Sequence, residues 1–297
     1  MSHIPAVLGL GDNVIDYYAE AEPGLKGAAF PGGNALNVAV HAARLGCRAS
    51  YLGYLGDDVW QKAIVEGLDF AGVDHSLCPV RKGGCTKVCL YEVRDGERRF
   101  LGTDTGSGWA GPLVLTASLL SQLEKYDLIH GCANAKMEQE WPKLASLGAV
   151  LTYDFTEKEK YRTGEYLDLL CGFLDLAMFS LSGESPANIE AFAQDTLNRG
   201  AGHVLVTAGA NGQYFAGRNF RIWNPVQPVH ARDTMGAGDS FLACLAVELL
   251  YSGWKKHEDI GKSAARSALQ KASAYASANC MQEGGFGFRA GGRTDQP

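Results

Sequence analysis

The chain has 297 residues, enough to bury one large α/β core or two smaller ones. Hydrophobic residues make up 46% and charged residues 20%, a balance that excludes intrinsic disorder and fits a soluble globular protein. The net charge of −6 speaks against nucleic acid or an anionic membrane as partner, so a bound nucleotide would have to be met locally, by a helix terminus, a metal ion or a few basic side chains.

Ala6–Leu10 is a short apolar run ending in Gly9-Leu-Gly11, the pattern of a buried strand with a ligand-facing turn after it. Residues 14–30 have no helical pattern and are expected to add a short strand or two. Ala35–Leu45 has alanine-rich helical spacing and stops at Gly46, Arg48–Leu55 reads as the next strand, and Asp57–Phe70 as a helix. Thr86–Val93 and Arg98–Thr103, joined by Arg94-Asp-Gly-Glu97, alternate polar and apolar residues as a β-hairpin does. Strand-like runs then follow at Asp127–His130, Ala149–Phe155, Leu176–Ser180 and His203–Thr207, alternating with helical stretches near 113–124, 138–147, 187–199, 238–252 and 259–279. Such alternation predicts an α/β fold: one doubly wound, mostly parallel sheet flanked by helices. The segments 14–30 and 84–105 are expected to form a small β-sheet lid on a single domain spanning 1–297, with residues 286–297 a flexible glycine-rich tail. Eight scattered cysteines form no metal-binding spacing, no secretory signal opens the chain, and no apolar run is long enough to span a bilayer. A reducing, cytoplasmic setting is the expectation.

Three glycine-containing polar clusters fall where strands hand over to helices or loops, the edge at which open α/β sheets bind ligands. The first is Gly11-Asp-Asn-Val-Ile-Asp16. The second is Gly32-Gly-Asn-Ala-Leu-Asn37, opening the first long helix. The third is Asp233-Thr-Met-Gly-Ala-Gly-Asp239, in front of a helix whose Phe241, Leu242, Leu245, Leu249 and Leu250 recur at helical spacing. A helix mouth with free N–H groups favours anions, and Gly236 and Gly238 let backbone approach a phosphate. Asp239 would repel that ligand unless it takes the proton of a hydroxyl attacking phosphorus. Asp12, Asn13, Asp16, Asn34 and Asn37 offer the donors and acceptors of a polyhydroxylated ligand, although each alone also reads as a cap or turn residue.

Together these clusters resemble the ribokinase/PfkB family of ATP-dependent sugar kinases, over residues 6 to about 285. The resemblance implies the ribokinase-like fold with a β lid. It also implies Asp239 as base toward a primary hydroxyl, and the N–H groups of Gly236, Ala237 and Gly238 as an anion hole for the γ-phosphoryl group. Asp16, Asn34 and Asn37 would serve the sugar, Gly33 would allow its close approach, and Thr207, Gly209 and Gly212 would flank the nucleotide. The cofactors implied are ATP and Mg²⁺, with K⁺ a further candidate at Asp233, and relatives pairing through their lids suggest a homodimer. Within the family the chain is similar to the fructoselysine 6-kinases, through Gly11–Asp16, Gly32–Val40, Tyr153-Asp-Phe155 and Val206–Gly212. That likeness points to O6 of a fructosamine such as fructoselysine, with ribose, fructose, 2-keto-3-deoxygluconate or a nucleoside as alternatives.

Two departures stand out. The family's Asn-x-x-Glu element, which helps hold Mg²⁺ and phosphates, is here Ser180-Leu-Ser-Gly-Glu184, so Glu184 stands without its Asn. Gln61 takes the place of a glycine common after Gly56-Asp-Asp58. The first departure keeps open a catalytically silent sugar-binding or regulatory protein on the same fold. A dinucleotide-dependent dehydrogenase is disfavoured, because Gly9-Leu-Gly11 has no third glycine and opens no helix.

Overall fold

The computed structural model describes residues 3–21, 24–94, 97–105, 112–227 and 229–291. In chain order the elements are β1 (Ala6–Leu10), β2 (Val14–Glu20), β3 (Ala29–Gly32), α1 (Asn34–Arg44), β4 (Arg48–Leu52), α2 (Val59–Phe70), β5 (Lys87–Arg94), β6 (Glu97–Asp104), α3 (Ala117–Leu123) and β7 (Leu128–Cys132). They continue with α4 (Trp141–Leu144), β8 (Val150–Asp154), α5 (Gly164–Leu170), β9 (Leu176–Ser180), α6 (Pro186–Asn198), β10 (His203–Thr207), β11 (Gln213–Gly217), β12 (Phe220–Asn224), α7 (Ala237–Tyr251) and α8 (Lys262–Asn279).

Eight strands form one sheet in the order β12-β11-β10-β9-β8-β7-β1-β4, parallel from β10 to β4. Its central strands are apolar on both faces because helices cover both. Val7 of β1 packs with α1, α2, α7 and α8, whereas Ala6, Leu8 and Leu10 pack with α3 to α6. Neighbour order reverses at β1, which lies between β7 and β4, so the crevice opens beside the C-terminal ends of β1 and β7. Gly9 sets the seat of α1: a Cβ there would stand 2.0 Å from the carbonyl oxygen of Ala35 and 3.1 Å from Ala39 Cβ. The helix backbone therefore rests directly on the strand.

The remaining four strands make a second sheet, β3-β2-β5-β6, with β2 and β5 parallel and the outer pairings antiparallel. It carries its own small apolar cluster, Tyr18, Ala28 and Phe30, against which Met235 packs. The tip expected at Asp95-Gly96 lies outside the described residues.

Three readings of the sequence need correction. The helix expected over 138–147 is a 3₁₀ turn at Glu138–Glu140 and four α-helical residues, with Pro142 near its start. Helix α5 and the antiparallel edge strand β12 were not anticipated; α5 is only seven residues long, with Thr163 capping the N–H of Tyr166. The glycine-rich end is not loose from residue 286 onward. Phe286 is 1% exposed, its carbonyl accepts from Arg44 Nη2 at 2.6 Å, and Ala290 N–H bonds Ala29 O at 2.8 Å. Residues 292–297 lie outside the described residues. Phe286→Ala is accordingly expected to cost about 3–5 kcal/mol, read as a lower denaturation midpoint, where a tail residue would cost nothing. No helix among the described residues is long and apolar enough to cross a membrane.

Candidate active site

The crevice beneath the small sheet is a cleft of about 830 Å³. Asp12, Asp16, Gly33, Asn34, Asn37, Asp154 and the run Gly236 to Asp239 line it, together with Lys87 and Arg98 from the small sheet. Residues far apart in sequence meet here because β1, β7, β8 and β9 all end at this edge.

Helix α7 starts at Ala237 behind Gly236, whose φ of 69° is left-handed, and no side chain caps its first N–H groups. A Cβ on Gly236 would lie 2.7 Å from Gly285 O, so the turn packs directly on the 284–285 backbone. Apart from Ala237 N–H, which bonds Thr234 O at 3.3 Å, the first turn thus presents open N–H donors and the positive end of the helix dipole to the cleft, the arrangement that receives a phosphate.

Asp239, in that first turn, does not cap the helix. It is 9% exposed and accepts hydrogen bonds from Asn37 Nδ2 at 2.7 Å and Asn34 Nδ2 at 3.0 Å. Asn34 and Asn37 lie three residues apart on one face of α1, so both can reach one carboxylate. A carboxylate only accepts, which fixes both amides with NH₂ toward it. Sequence reasoning gave these asparagines to the sugar; the structure turns their amides onto Asp239. Asn34 Nδ2 also donates to Asp154 Oδ2 at 2.8 Å, and its Oδ1 accepts from Asn134, which in turn accepts from Lys158.

Burial is the main influence on the acids. It pushes Asp239 up to about 6 against the pull of Asn37 and Asn34. It lifts Asp154 to about 7, with the neighbouring Asp239 adding to the rise. Asp16 also reaches about 7 through burial, opposed by Arg98 and reinforced by Asp239 and Asp233. Asp12 behaves differently: burial works against its charge, but Lys87 at 2.7 Å together with hydrogen bonds from Cys132 Sγ and backbone outweighs burial and holds its pKa below the ordinary value.

Gly33, with φ 115°, has its side-chain space closed by protein, since a Cβ would meet Asp12 O at 2.7 Å. Gly32, which sequence reasoning left unassigned, makes room for Asp16: a Cβ would stand 2.7 Å from Asp16 Oδ2. Thr207, Gly209 and Gly212 cluster at the ends of β10 and β9, outside the lining of the main cleft. Thr207 Oγ1 is 3.0 Å from Ser180 Oγ, and Gly209 packs on Ser182; both serines line the cleft. Gly212 is required by packing, because a Cβ would meet Asn224 O at 2.2 Å. Glu184 sits at the start of the turn into α6, where Asn188 Nδ2 donates to its carboxylate at 3.1 Å. An asparagine from the following helix therefore holds the glutamate that lacks its usual partner.

Asp233 does not present an open carboxylate to a cation. It accepts from Tyr18 Oη, from Met235 N–H at 2.8 Å and from Gly284 N–H at 2.8 Å, and it pairs with Arg98 Nε at 3.3 Å. Arg98 also donates to Thr234 Oγ1 at 2.9 Å. The side chain expected at a K⁺ site is an anchor between the small sheet and the turn that opens α7. No group of three or more His, Cys, Asp or Glu among the described residues is arranged to hold a metal ion.

Asp154 and Asn134 were missed as members of the site. The Tyr153-Asp-Phe155 strand end was the one available signal for Asp154.

The pfkB family carbohydrate kinase model matches residues 10–286. The chain is 30% identical to the fructosamine kinase FrlD of Bacillus subtilis (strain 168) over 291 residues, covering 95% of this chain and 93% of that protein. It is 33% identical to a fructoselysine 6-kinase of Shigella flexneri, covering 79% and 85%. Among solved structures, a fructokinase with bound ATP from Xylella fastidiosa superposes with a TM-score of 0.76 at 20% identity, covering 95% and 94%.

Proposed function

This chain belongs to the pfkB family of carbohydrate kinases, and we propose that the alcohol it phosphorylates is the primary O6 hydroxyl of a fructosamine such as fructoselysine. The observation that carries the chemistry is Asp239: a buried carboxylate at about 6, in the first turn of an uncapped helix, at the wall of a sugar-sized cleft. A hydroxyl placed between Asp239 and the helix mouth gives its proton to Asp239 as its oxygen bonds the γ-phosphorus and the bond to the ADP oxygen breaks. Negative charge on the transferred group is met by the N–H groups of Gly236, Ala237 and Gly238. Asn34 and Asn37 fix the plane of the base, and Asp16 accepts from sugar hydroxyls. The uncapped turn fits a nucleotide's terminal phosphate; Thr207, Gly209 and Glu184 are assigned to the nucleotide side. With no protein-only metal cluster among the described residues, we assign Mg²⁺ to the nucleotide phosphates, where it would neutralise charge. The engaged Asp233 carboxylate does not fit a K⁺ ligand, and no step is assigned to that ion.

Two considerations favour a fructosamine. The relatives named above are a fructosamine kinase and a fructoselysine 6-kinase. In addition, the cleft is lined by the carboxylates of Asp12, Asp16, Asp154, Glu157 and Asp239 against the cations of Lys87, Arg98 and Lys158, and this acid excess suits the secondary ammonium that a plain hexose lacks. ADP release measured over a panel of sugars tests the reading. Fructosamines are expected to give the highest kcat/KM; a higher value for fructose, ribose, 2-keto-3-deoxygluconate or a nucleoside overturns it, and no turnover with any sugar restores the silent binding protein.

A further inference from the structure

The small sheet sends a cation into the segment that opens α7. Arg98 of β6 places Nε 3.3 Å from Asp233 Oδ1, Nη2 2.9 Å from Thr234 Oγ1 and Nη1 2.9 Å from Met235 Sδ. Its three nitrogens thus address three consecutive residues, immediately before Gly236. We propose that Arg98 is a built-in cation, filling at Asp233 the place expected for K⁺, so that turnover needs no monovalent ion. The proposal goes beyond the kinase reading and does not depend on which sugar is accepted.

The Asp233 carboxylate has no room left for a further cation. Its two oxygens offer about four lone-pair sites. Oδ1 accepts from Met235 N–H at 2.8 Å and faces Arg98 Nε, while Oδ2 accepts from Tyr18 Oη and from Gly284 N–H at 2.8 Å. An ion bound through this side chain would have to displace one of those four partners. Charge leads to the same conclusion. The Asp233 side chain is 5% exposed and that of Arg98 19%, so water screens the acid little and a partner of opposite sign is required. Arg98 supplies that partner from a fixed position. Its guanidinium lies 5.8 Å from the centroid of the Tyr91 ring, and Tyr91 packs edge-on against Tyr18, the other side chain of the small sheet that holds Asp233. Asp233 in turn ties down both strands of backbone that meet at Gly236, through Met235 N–H on one side and Gly284 N–H on the other. Arg98 is therefore a positioning residue, acting through Asp233 on the turn that aims the first N–H groups of α7.

The test follows kcat and Tm in potassium, sodium and tetramethylammonium chloride at equal ionic strength, for wild type, Arg98→Ala and Arg98→Lys. Mg²⁺, ATP and the best sugar are held constant. Wild type is expected to keep the same Tm in all three salts and a kcat that varies by no more than about two-fold. Arg98→Ala is expected to lose roughly ten- to hundred-fold in kcat in tetramethylammonium, the scale of a charge-assisted hydrogen bond. Added K⁺ or dilute guanidinium should restore part of that loss, and K⁺ should raise the variant's Tm. Arg98→Lys, which keeps a charge, should lose less and stay indifferent to K⁺. A wild-type kcat that K⁺ raises beyond that two-fold range overturns the proposal, as does an Arg98→Ala variant with undiminished kcat. A loss in Arg98→Ala that neither cation reverses also overturns it, because it marks a purely structural role. If Arg98→Ala does not fold, the wild-type salt series and Arg98→Lys decide. The Tm series needs no turnover: a wild type stabilised by K⁺ over tetramethylammonium overturns the proposal whichever sugar is accepted, or if none is.

Discussion

Asp239→Asn is expected to lower kcat by about 10²–10⁴-fold while ATP binding, read by calorimetry, stays within a few-fold of wild type. The amide cannot take the proton of an attacking hydroxyl, but the helix mouth and the cleft remain. Retention of more than about a tenth of the wild-type kcat would remove Asp239 from the role of base. The pH profile gives a second reading. A base works in its ionised form, and burial has raised this one to about 6. Wild-type kcat should therefore hold above that pH and fall as pH drops through it, and the residual activity of the variant should lack that limb. An ordinary aspartate near 3.9 is a poor acceptor for a sugar proton. The structure brings this carboxylate nearer to neutral pH by burying it, and the two asparagine donors limit the rise. Stability carries the opposite sign to that of a salt-bridged acid. With Asp16, Asp154 and Asp239 all raised, the folded chain binds more protons than the unfolded one between about pH 4 and 7, so these groups subtract stability as pH climbs through that window.

Gly9→Ala should be the most damaging single-methyl change in the core. A Cβ 2.0 Å from Ala35 O cannot be accommodated by a rotamer, because the obstruction is backbone and α1 has to lift off the sheet. Overpacking of this kind costs about 3 kcal/mol, or roughly 6–12 °C in Tm for a chain of this size. Since α1 carries Asn34 and Asn37, the folded fraction should also turn over more slowly, its base no longer held from two sides. Gly148→Ala is the control: nothing lies within 4 Å of its added methyl, and Tm should move by a degree or two at most. Equal Tm values for the two variants would contradict the close seating of α1 on β1.

Much of this architecture can be read from the residues because buried parallel strands leave an uninterrupted apolar signature. Leu176–Ser180 and His203–Thr207 coincide residue for residue with β9 and β10. Helix α5 escaped notice because seven residues hold too few turns to display a period, and α4 fell short of its expected span beside Pro142. In the site, Asp239 and the Asn34–Asn37 pair were visible because local spacing places them. What they do to one another was not, since the bond from α1 to α7 depends on how the two helices pack. Asp154 and Asn134 belong to the site only because β7 and β8 are neighbours in the sheet, and strand order is not written in any local stretch. The tail was misjudged for a related reason. Its glycines suggest freedom, but Phe286 finds a groove beside Gly67 that only the folded chain provides.

Tyr18 and Arg98 stand on strands of the small sheet, yet both hold Asp233, and Arg98 reaches Thr234, in the segment that feeds the first turn of α7. A swing of that sheet away from the crevice must either break these bonds or drag the segment along. The roof and the mouth of α7 are thus hinged to one another: if that mouth seats the terminal phosphate as proposed, room made for a bulky sugar on one side would be felt mechanically on the nucleotide side.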